Sequence, residues 1–129
     1  MGATGNANVI QISYTSRTHT GVELLYNLPT NITKAIFDNS AYFVYVSNGN
    51  NTYALPGWFT GGSNAYRTYT ANTTGTQGVY INRVTGSGTD TFVTTRILVI
   101  PASDICTGRR AAIDYTDYNA VKAYYNLPD

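Results

Sequence analysis

Short segments in which apolar and polar residues alternate run along most of the chain. The segment from Asn8 to Thr15 places Ile10, Ile12 and Tyr14 on one face and polar residues on the other. This two-residue period is that of a half-buried β-strand, so the pattern favours an all-β fold. Similar segments predict further strands at Gly21–Leu28, Lys34–Phe37, Tyr42–Ser47, Thr52–Leu55, Tyr66–Thr70, Gly78–Val84 and Thr91–Ile100.

Turn-forming residues separate these segments at short intervals. The clearest hairpin signal is Asn48-Gly49-Asn50-Asn51, because Asn-Gly accepts positive φ at both central positions. Pro56-Gly57 and Pro101 end other segments, and Tyr42–Ser47 is apolar on both faces, which predicts a central strand. About eight short strands with this spacing predict an antiparallel β-sandwich or jelly-roll.

The C-terminal stretch departs from this alternation and predicts a short helix. Tyr118, Val121 and Tyr125 recur at helical spacing, and Asp117 is suited to cap the N-terminus of the helix. We expect one face of this helix to pack against the sandwich. The chain has no internal repeat and no dividing linker, so residues 8–129 are predicted to form one head domain.

Charge is sparse in this chain of 129 residues, because only 12% of them are charged and the formal net charge is +1. This balance argues against a nucleic-acid partner and against a polybasic segment for anionic lipid. No run approaches the roughly 18 apolar residues of a membrane-spanning helix, so we predict no direct membrane insertion by this chain. Tyr, Thr, Asn and Gly are abundant instead, as is common in extracellular β-proteins.

The first seven residues contain two Gly-x-y triplets, Gly2-Ala3-Thr4 and Gly5-Asn6-Ala7. In a collagen triple helix every third residue is glycine, because only glycine fits at the crowded axis. Met1 is followed by neither a basic region nor an apolar core, which are the marks of a signal peptide. We expect Met1 to be an expression start, residues 1–7 to include a remnant of a collagen-like stalk, and targeting and anchor segments to lie upstream.

Several stretches carry a resemblance to a known family. Gly2–Val9 resembles the junction in collagen-like proteins of Bacteroidetes, where a Gly-x-y region passes into a C-terminal β-rich domain. Tyr42–Val46 followed by Tyr53–Pro56 is similar to a strand pair of that family. Its C-terminal signature is similar to Ile97–Ser103 followed by Asp114–Tyr118 and by the end from Val121 to Leu127. The resemblance implies a secreted or lipid-anchored protein at the cell surface, with a terminal globular domain. Phage tail fibres with collagen-like segments share the composition and are the alternative.

Residues suited to catalysis are few. His19 is the only histidine, which excludes a zinc site with two histidine ligands, and we expect it on the surface at a turn or strand start. Cys106 is the only cysteine, so we expect it to be a small apolar residue of the core or a strand end. No phosphate-binding glycine motif or calcium loop is present, so no cofactor, metal or enzymatic activity is predicted. No spacing pairs the seven carboxylates as a glycosidase requires: Glu23, Asp38, Asp90, Asp104, Asp114, Asp117 and Asp129.

Aromatic residues on both sides of Pro56-Gly57 are the candidates for binding. Their rings offer a large, rigid contact area and can stack on sugars. We therefore predict a ligand-binding surface that includes Tyr53, Trp58, Tyr66 and Tyr69, with a glycan or a surface receptor as partner. For the single tryptophan we favour the alternative that Trp58 plugs an open end of the sandwich.

The sequence thus favours a non-enzymatic head domain with a structural, adhesive or stalk-trimerising role. A collagen-like stalk requires three chains in register, so a homotrimer, formed through the stalk or the head, is the expected assembly. The alternative function is a carbohydrate- or receptor-binding tip domain of a phage tail fibre or an adhesin.

Overall fold

A computed structural model describes residues 9–20, 23–73, 76–101, 114–125 and 127. The predicted stalk remnant at residues 1–7 and Cys106 lie outside the described residues. The described part of the chain forms strands β1 (Ile10–Tyr14), β2 (Arg17–His19), β3 (Leu24–Asn27), β4 (Ser40–Ser47), β5 (Thr52–Leu55), β6 (Gly57–Phe59), β7 (Asn64–Thr73), β8 (Thr76–Thr85), β9 (Asp90–Phe92) and β10 (Thr94–Pro101). Its helices are α1 (Lys34–Asp38) and α2 (Tyr118–Tyr125), and a single 3-10 turn spans Thr60–Gly62.

Two four-stranded antiparallel sheets form the body of the fold. The first sheet has the order β1-β10-β4-β5, and the second sheet has the order β3-β8-β7-β6. Strands β2 and β9 pair as a separate two-stranded ribbon. Apolar side chains from both sheets and from this ribbon make one core, which includes Tyr26, Val44, Phe59, Ile81, Phe92 and Ile97. The prediction of an all-β, sandwich-like domain with a short C-terminal helix is confirmed.

The first sheet is covered on both of its faces. Val44 and Ile97 face the core between the sheets, whereas Tyr45 and Leu98, one residue further along each strand, join a second cluster with Val121 of α2. The alternating direction of side chains along a strand places these two sets on opposite faces. The double covering explains why β4 is apolar on both faces, and β4 lies between β10 and β5 as a central strand.

Helix α2 begins where the sequence predicts. The carboxylate oxygen Oδ1 of Asp117 accepts a hydrogen bond from the backbone N–H of Ala120 at 3.3 Å, which is the geometry of an N-cap. Tyr118, Val121 and Tyr125 are buried against the first sheet. The predicted cap and the predicted buried face of this helix are both confirmed.

The hairpin between β4 and β5 is also confirmed, with a loop of four residues. The loop is closed by a hydrogen bond of 3.1 Å from Asn48 N–H to the carbonyl oxygen of Asn51. The Asn48 side-chain oxygen accepts from the backbone N–H groups of Asn50 and Asn51, at 2.9 and 2.8 Å. Gly49 has a φ of 102°, a conformation that L side chains rarely adopt. The Asn side chain and the glycine together fix this turn.

Two predicted strands are wrong. Lys34–Phe37 was predicted as a strand, but these residues form most of helix α1, which Thr33 caps by accepting from the N–H of Ile36 at 3.3 Å. Four residues are too few to distinguish the helical period from the period of a strand. The predicted strand Thr91–Ile100 is divided at Val93 into β9 and β10, because β9 pairs with β2 whereas β10 pairs with β1 and β4.

Candidate functional site

The outer face of the second sheet carries a set of aromatic and polar side chains. On β7 the buried Tyr66 faces the core. The next residue, Arg67, points outward, and so does Tyr69 two residues further along the strand. On β8 the core residue Ile81 separates the outward-facing Tyr80 and Asn82. We call this set, with Trp58 of β6 and Glu23 just before β3, the outer platform.

Trp58 is the most exposed aromatic side chain of the outer platform. Strand β6 alternates, so Phe59 is 3% exposed in the core whereas Trp58 points outward and is 55% exposed. In the register of β6 and β7, Trp58 lies opposite Ala65. The favoured interpretation, in which Trp58 plugs the end of the sandwich, is wrong, because the Trp58 side chain is exposed on the outer face and Phe59 is the β6 residue that enters the core.

Tyr69 and Tyr80 form a stacked pair across β7 and β8. They are direct partners in the register, and their ring centroids are 5.1 Å apart with an angle of 24° between the planes. The Tyr69 hydroxyl donates a hydrogen bond to the Glu23 carboxylate, which raises the pKa of Tyr69. The Arg67 guanidinium lies 5.5 Å from the centroid of the Tyr69 ring, within the range of a cation–π contact. Tyr69 is therefore held in one orientation by three neighbours.

The sheet beneath this pair is closely packed. Leu25 lies opposite Tyr80 in the register of β3 and β8. A Cβ atom added to Gly78 would lie 2.5 Å from Leu25 Cδ1 and 3.2 Å from the carbonyl oxygen of Tyr26. Glycine at this position therefore lets Leu25 rest directly on the backbone of β8, beside the tyrosine pair.

Polar side chains occupy the middle of the outer platform. Arg67 and Asn82 are partners in the register of β7 and β8. They lie between Trp58 at one end of the platform and the stacked tyrosines at the other. Tyr69 is four positions after Ala65, which lies opposite Trp58, and this spacing corresponds to roughly 13 Å along the strand.

The four residues predicted for ligand binding do not lie together. Trp58 and Tyr69 are both on the outer platform, but Tyr66 is 1% exposed, and its hydroxyl donates to the Asp90 carboxylate. Tyr53 is half-buried and packs edge-to-face on Phe59 with ring centroids 5.3 Å apart. Sequence reasoning missed Tyr80, although its alternation with the core residues of β8 was the signal that could have placed it beside Tyr69.

His19 is buried, so the prediction of a surface histidine is wrong. Its imidazole has no exposed area, packs 4.2 Å from the Phe92 ring, and its Nε2 atom lies 2.9 Å from the Tyr26 hydroxyl. Burial and the Arg17 charge lower the pKa of His19 to about 4, although the Asp90 carboxylate acts in the opposite direction. The Nδ1 atom has no hydrogen-bond partner among the described residues. The group is therefore a neutral core residue that solvent does not reach.

A polar network links the buried histidine region to the β8–β9 connection. Asn64 accepts from the N–H of Ser87 at 3.0 Å and donates to the Ser87 carbonyl at 3.1 Å and to the Asp90 carboxylate at 2.7 Å. Asp90 also lies opposite His19 in the register of β9 and β2. These contacts satisfy polar groups inside the fold, and we assign the network a structural role.

Apart from the outer platform, the structure contains a polar groove between the β4–β5 loop and the start of α2. Asn50 and Asn51 line one side of the groove, and Thr116 and Asn119 line the other. The Asp117 carboxylate in this groove is already occupied as the cap of α2. No exposed aromatic ring lies among the lining residues, so the groove lacks the contact area that the outer platform offers.

Comparison with known proteins identifies no relative. No family model, no curated protein and no solved structure matches the chain. Among the residues that the structure describes, no three His, Cys, Asp or Glu side chains are grouped as metal ligands. None of the described helices is long and apolar enough to cross a membrane.

Proposed function

We propose that this chain is the non-enzymatic, adhesive head domain of a collagen-like surface protein of the Bacteroidetes type, and that it binds its partner through the outer platform. The observation that carries the proposal is the exposure of Trp58, which is 55%, on a sheet face that also presents Tyr69. Exposed aromatic and arginine side chains on a rigid strand scaffold are typical of binding surfaces.

The N-terminal sequence supports the collagen-like part of this proposal. Two Gly-x-y triplets directly precede the first strand, and the junction resembles that of the collagen-like family. The low charge and the abundance of Tyr, Thr, Asn and Gly are typical of proteins that work outside the cell. In this proposal the protein is extracellular or on the cell surface.

The chemistry of the outer platform supports binding rather than catalysis. Its one carboxylate, Glu23, accepts a hydrogen bond from Tyr69. Glycoside hydrolysis requires two carboxyl groups that face each other across the scissile bond. A sheet face with one carboxylate can hold a ligand but offers no second group of that kind.

A stalk of three chains would present three heads, each with its own outer platform. Linking three weak binding surfaces raises the effective concentration of the second and third, so adhesion of the assembly exceeds that of one head. The tip of a phage tail fibre, which is the alternative origin, would use the same surface in the same way.

Adhesion of coated beads tests the proposal. Beads that carry the domain are expected to adhere to a mucin-coated surface, and beads that carry Trp58→Ala are expected to lose this adhesion. Tyr124→Ala is the matched control, because Tyr124 is an exposed aromatic residue on α2, away from the platform. Equal adhesion of all three bead types, or adhesion of none, would contradict the proposed function.

A further inference from the structure

We propose that the outer platform binds a neutral oligosaccharide, with Trp58 as the stacking surface and with Arg67 and Asn82 as hydrogen-bonding groups. This inference rests on the proposed adhesive function and assigns its ligand class. The surface is the open face of a sheet, and neither of the described pockets is lined by its residues, which suits an extended chain of sugar rings.

The exposure of Trp58 provides the apolar contact that a sugar requires. One face of a pyranose ring presents C–H groups, and these groups pack on the electron-rich face of an aromatic ring. Trp58 offers the largest aromatic surface of the platform and is 55% exposed. Its backbone is fixed by pairing with β7, so little conformational entropy is lost on binding.

The polar middle of the platform favours a sugar over a protein partner. The core of a protein–protein interface is apolar and depleted of charged residues as a class, although arginine is enriched there, and its polar groups lie mainly at the rim. Here the order is reversed, because Arg67 and Asn82 lie between Trp58 and the Tyr69–Tyr80 pair. A hydroxyl-rich ligand can hydrogen-bond to these central groups while its ring faces contact the aromatic residues on either side.

The charges of the platform favour a neutral ligand. Arg67 contributes the one positive formal charge of the platform and Glu23 the one negative formal charge, and these two charges cancel. Both side chains contact the same tyrosine, Arg67 over the ring and Glu23 at the hydroxyl. An acidic glycan would gain the attraction of one arginine and meet the repulsion of one glutamate, so the platform gives it no net electrostatic advantage.

The length of the platform indicates an oligosaccharide rather than a single sugar. The roughly 13 Å between the position of Trp58 and that of Tyr69 exceeds the width of one sugar ring. A ligand that contacts both ends therefore crosses the Arg67–Asn82 row, and shortening the ligand removes the contact at one end.

Fluorescence of the single tryptophan gives a direct test. Trp58 is the only tryptophan of the chain, so its emission and its quenching by acrylamide report on the platform alone. The probes are cellohexaose and mannohexaose as neutral oligosaccharides, with glucose as the short ligand and a heparin hexasaccharide as the acidic one. We expect a neutral hexasaccharide to protect Trp58 from acrylamide, and glucose and the acidic probe to leave it accessible.

Variants measured by calorimetry localise the binding. Trp58→Ala is expected to weaken binding of the active hexasaccharide by about tenfold or more, as loss of a stacking contact implies. Arg67→Ala is expected to weaken it less, and Tyr124→Ala is expected to leave it unchanged. Thermal unfolding of each variant confirms that the loss of binding is not a loss of folding.

Three results would overturn the inference. The first is the absence of binding by both cellohexaose and mannohexaose, and the second is an affinity that is unchanged in Trp58→Ala. The third is protection of Trp58 from acrylamide when the protein alone is concentrated, which would assign the platform to a second copy of this chain. Periodate oxidation of the mucin surface separates the two proposals. If bead adhesion depends on Trp58 but survives oxidation of the sugars, the adhesive function stands and the glycan inference fails.

Discussion

The imidazole Nε2 of His19 lies 2.9 Å from the hydroxyl oxygen of Tyr26, and neither side chain has exposed area. Desolvation is the main reason why the pKa of His19 is lowered to about 4. Among the charged groups around it, Arg17 and Arg83 lower the pKa further and Asp90 raises it. The histidine is therefore neutral in the folded protein near neutral pH.

The free energy of unfolding is expected to decrease as the pH falls from about 6.5 to about 4. In this interval the unfolded chain binds a proton at its single histidine, with an ordinary pKa of 6.5, whereas the folded chain does not. Protonation therefore favours the unfolded state, and the difference between the two pKa values corresponds to a loss of about 3 kcal/mol. Urea unfolding across this pH range measures the effect.

His19→Phe is the control for this pH dependence. The phenylalanine keeps an aromatic ring next to Phe92 but does not titrate. Carboxylates protonate in both proteins, so the informative quantity is the difference in the pH slope of stability between wild type and variant. Identical slopes would show that His19 does not bind its proton with the lowered pKa.

Two neighbouring aromatic residues of β6 are expected to differ sharply in their contribution to stability. Phe59→Ala removes a side chain that is 3% exposed and packs on Phe92 and Tyr66, so a loss of about 3 to 5 kcal/mol is expected. Trp58→Ala removes an exposed side chain and should change stability by about 0.5 kcal/mol or less. Chemical denaturation of both variants checks this, and equal losses would contradict the outward orientation of Trp58.

Gly86 and Gly88 are expected to tolerate alanine to different degrees. Both have positive φ, of 108° and 82°, so each substitution carries the cost of about 1 to 2 kcal/mol for that conformation. At Gly86 the new Cβ atom would also lie 1.7 Å from the Asn64 side-chain oxygen and 2.8 Å from the Ser63 carbonyl oxygen. We therefore expect Gly86→Ala to lose about 3 kcal/mol or more.

Gly88→Ala serves as the matched control for this steric effect. Apart from its chain neighbours, no heavy atom of the described structure lies within 4 Å of a Cβ atom built there. The difference in thermal stability between the two variants isolates the contact with Asn64. A Gly86→Ala protein as stable as Gly88→Ala would mean that Asn64 does not bridge to Ser87 as observed.

The packing of α2 on the first sheet is expected to depend on Val121. This residue is fully buried in the cluster with Tyr45 and Leu98, so Val121→Ala should lower stability by about 2 kcal/mol. Asn119→Ala changes an exposed position of the same helix and should change stability by about 0.5 kcal/mol or less. Amide hydrogen exchange in α2 is expected to accelerate in the first variant only.

Elements with strong local signals could be predicted from the sequence. Asn48-Gly49 predicted the hairpin because an Asn side chain and a positive φ make that turn without distant contacts. Asp117 predicted the start of α2 because its side chain bonds to a backbone group three residues away. In both cases the stabilising contacts lie within a few residues, so the local sequence is sufficient.

Elements that depend on a change of partner could not be predicted in this way. The sequence on both sides of Val93 is typical of one continuous strand. At Val93, however, the chain stops pairing with β2 and starts pairing with β4, and the Val93 N–H donates a hydrogen bond to the Ser47 carbonyl at 2.8 Å. Helix α1 was hidden for a different reason, because five residues are shorter than the window in which a helical period is visible.

The sequence by itself determined the class of the fold, through the two-residue alternation and the turn residues between strands. It also separated the two faces of a strand correctly, as with Tyr80 and Ile81 of β8, but it did not predict β6, in which Trp58 and Phe59 point to opposite faces. Only the tertiary structure decided which of those faces is covered. Burial arises from contacts between distant segments, such as His19 with Phe92, so a lone histidine became a core residue while the single tryptophan remained on the outside.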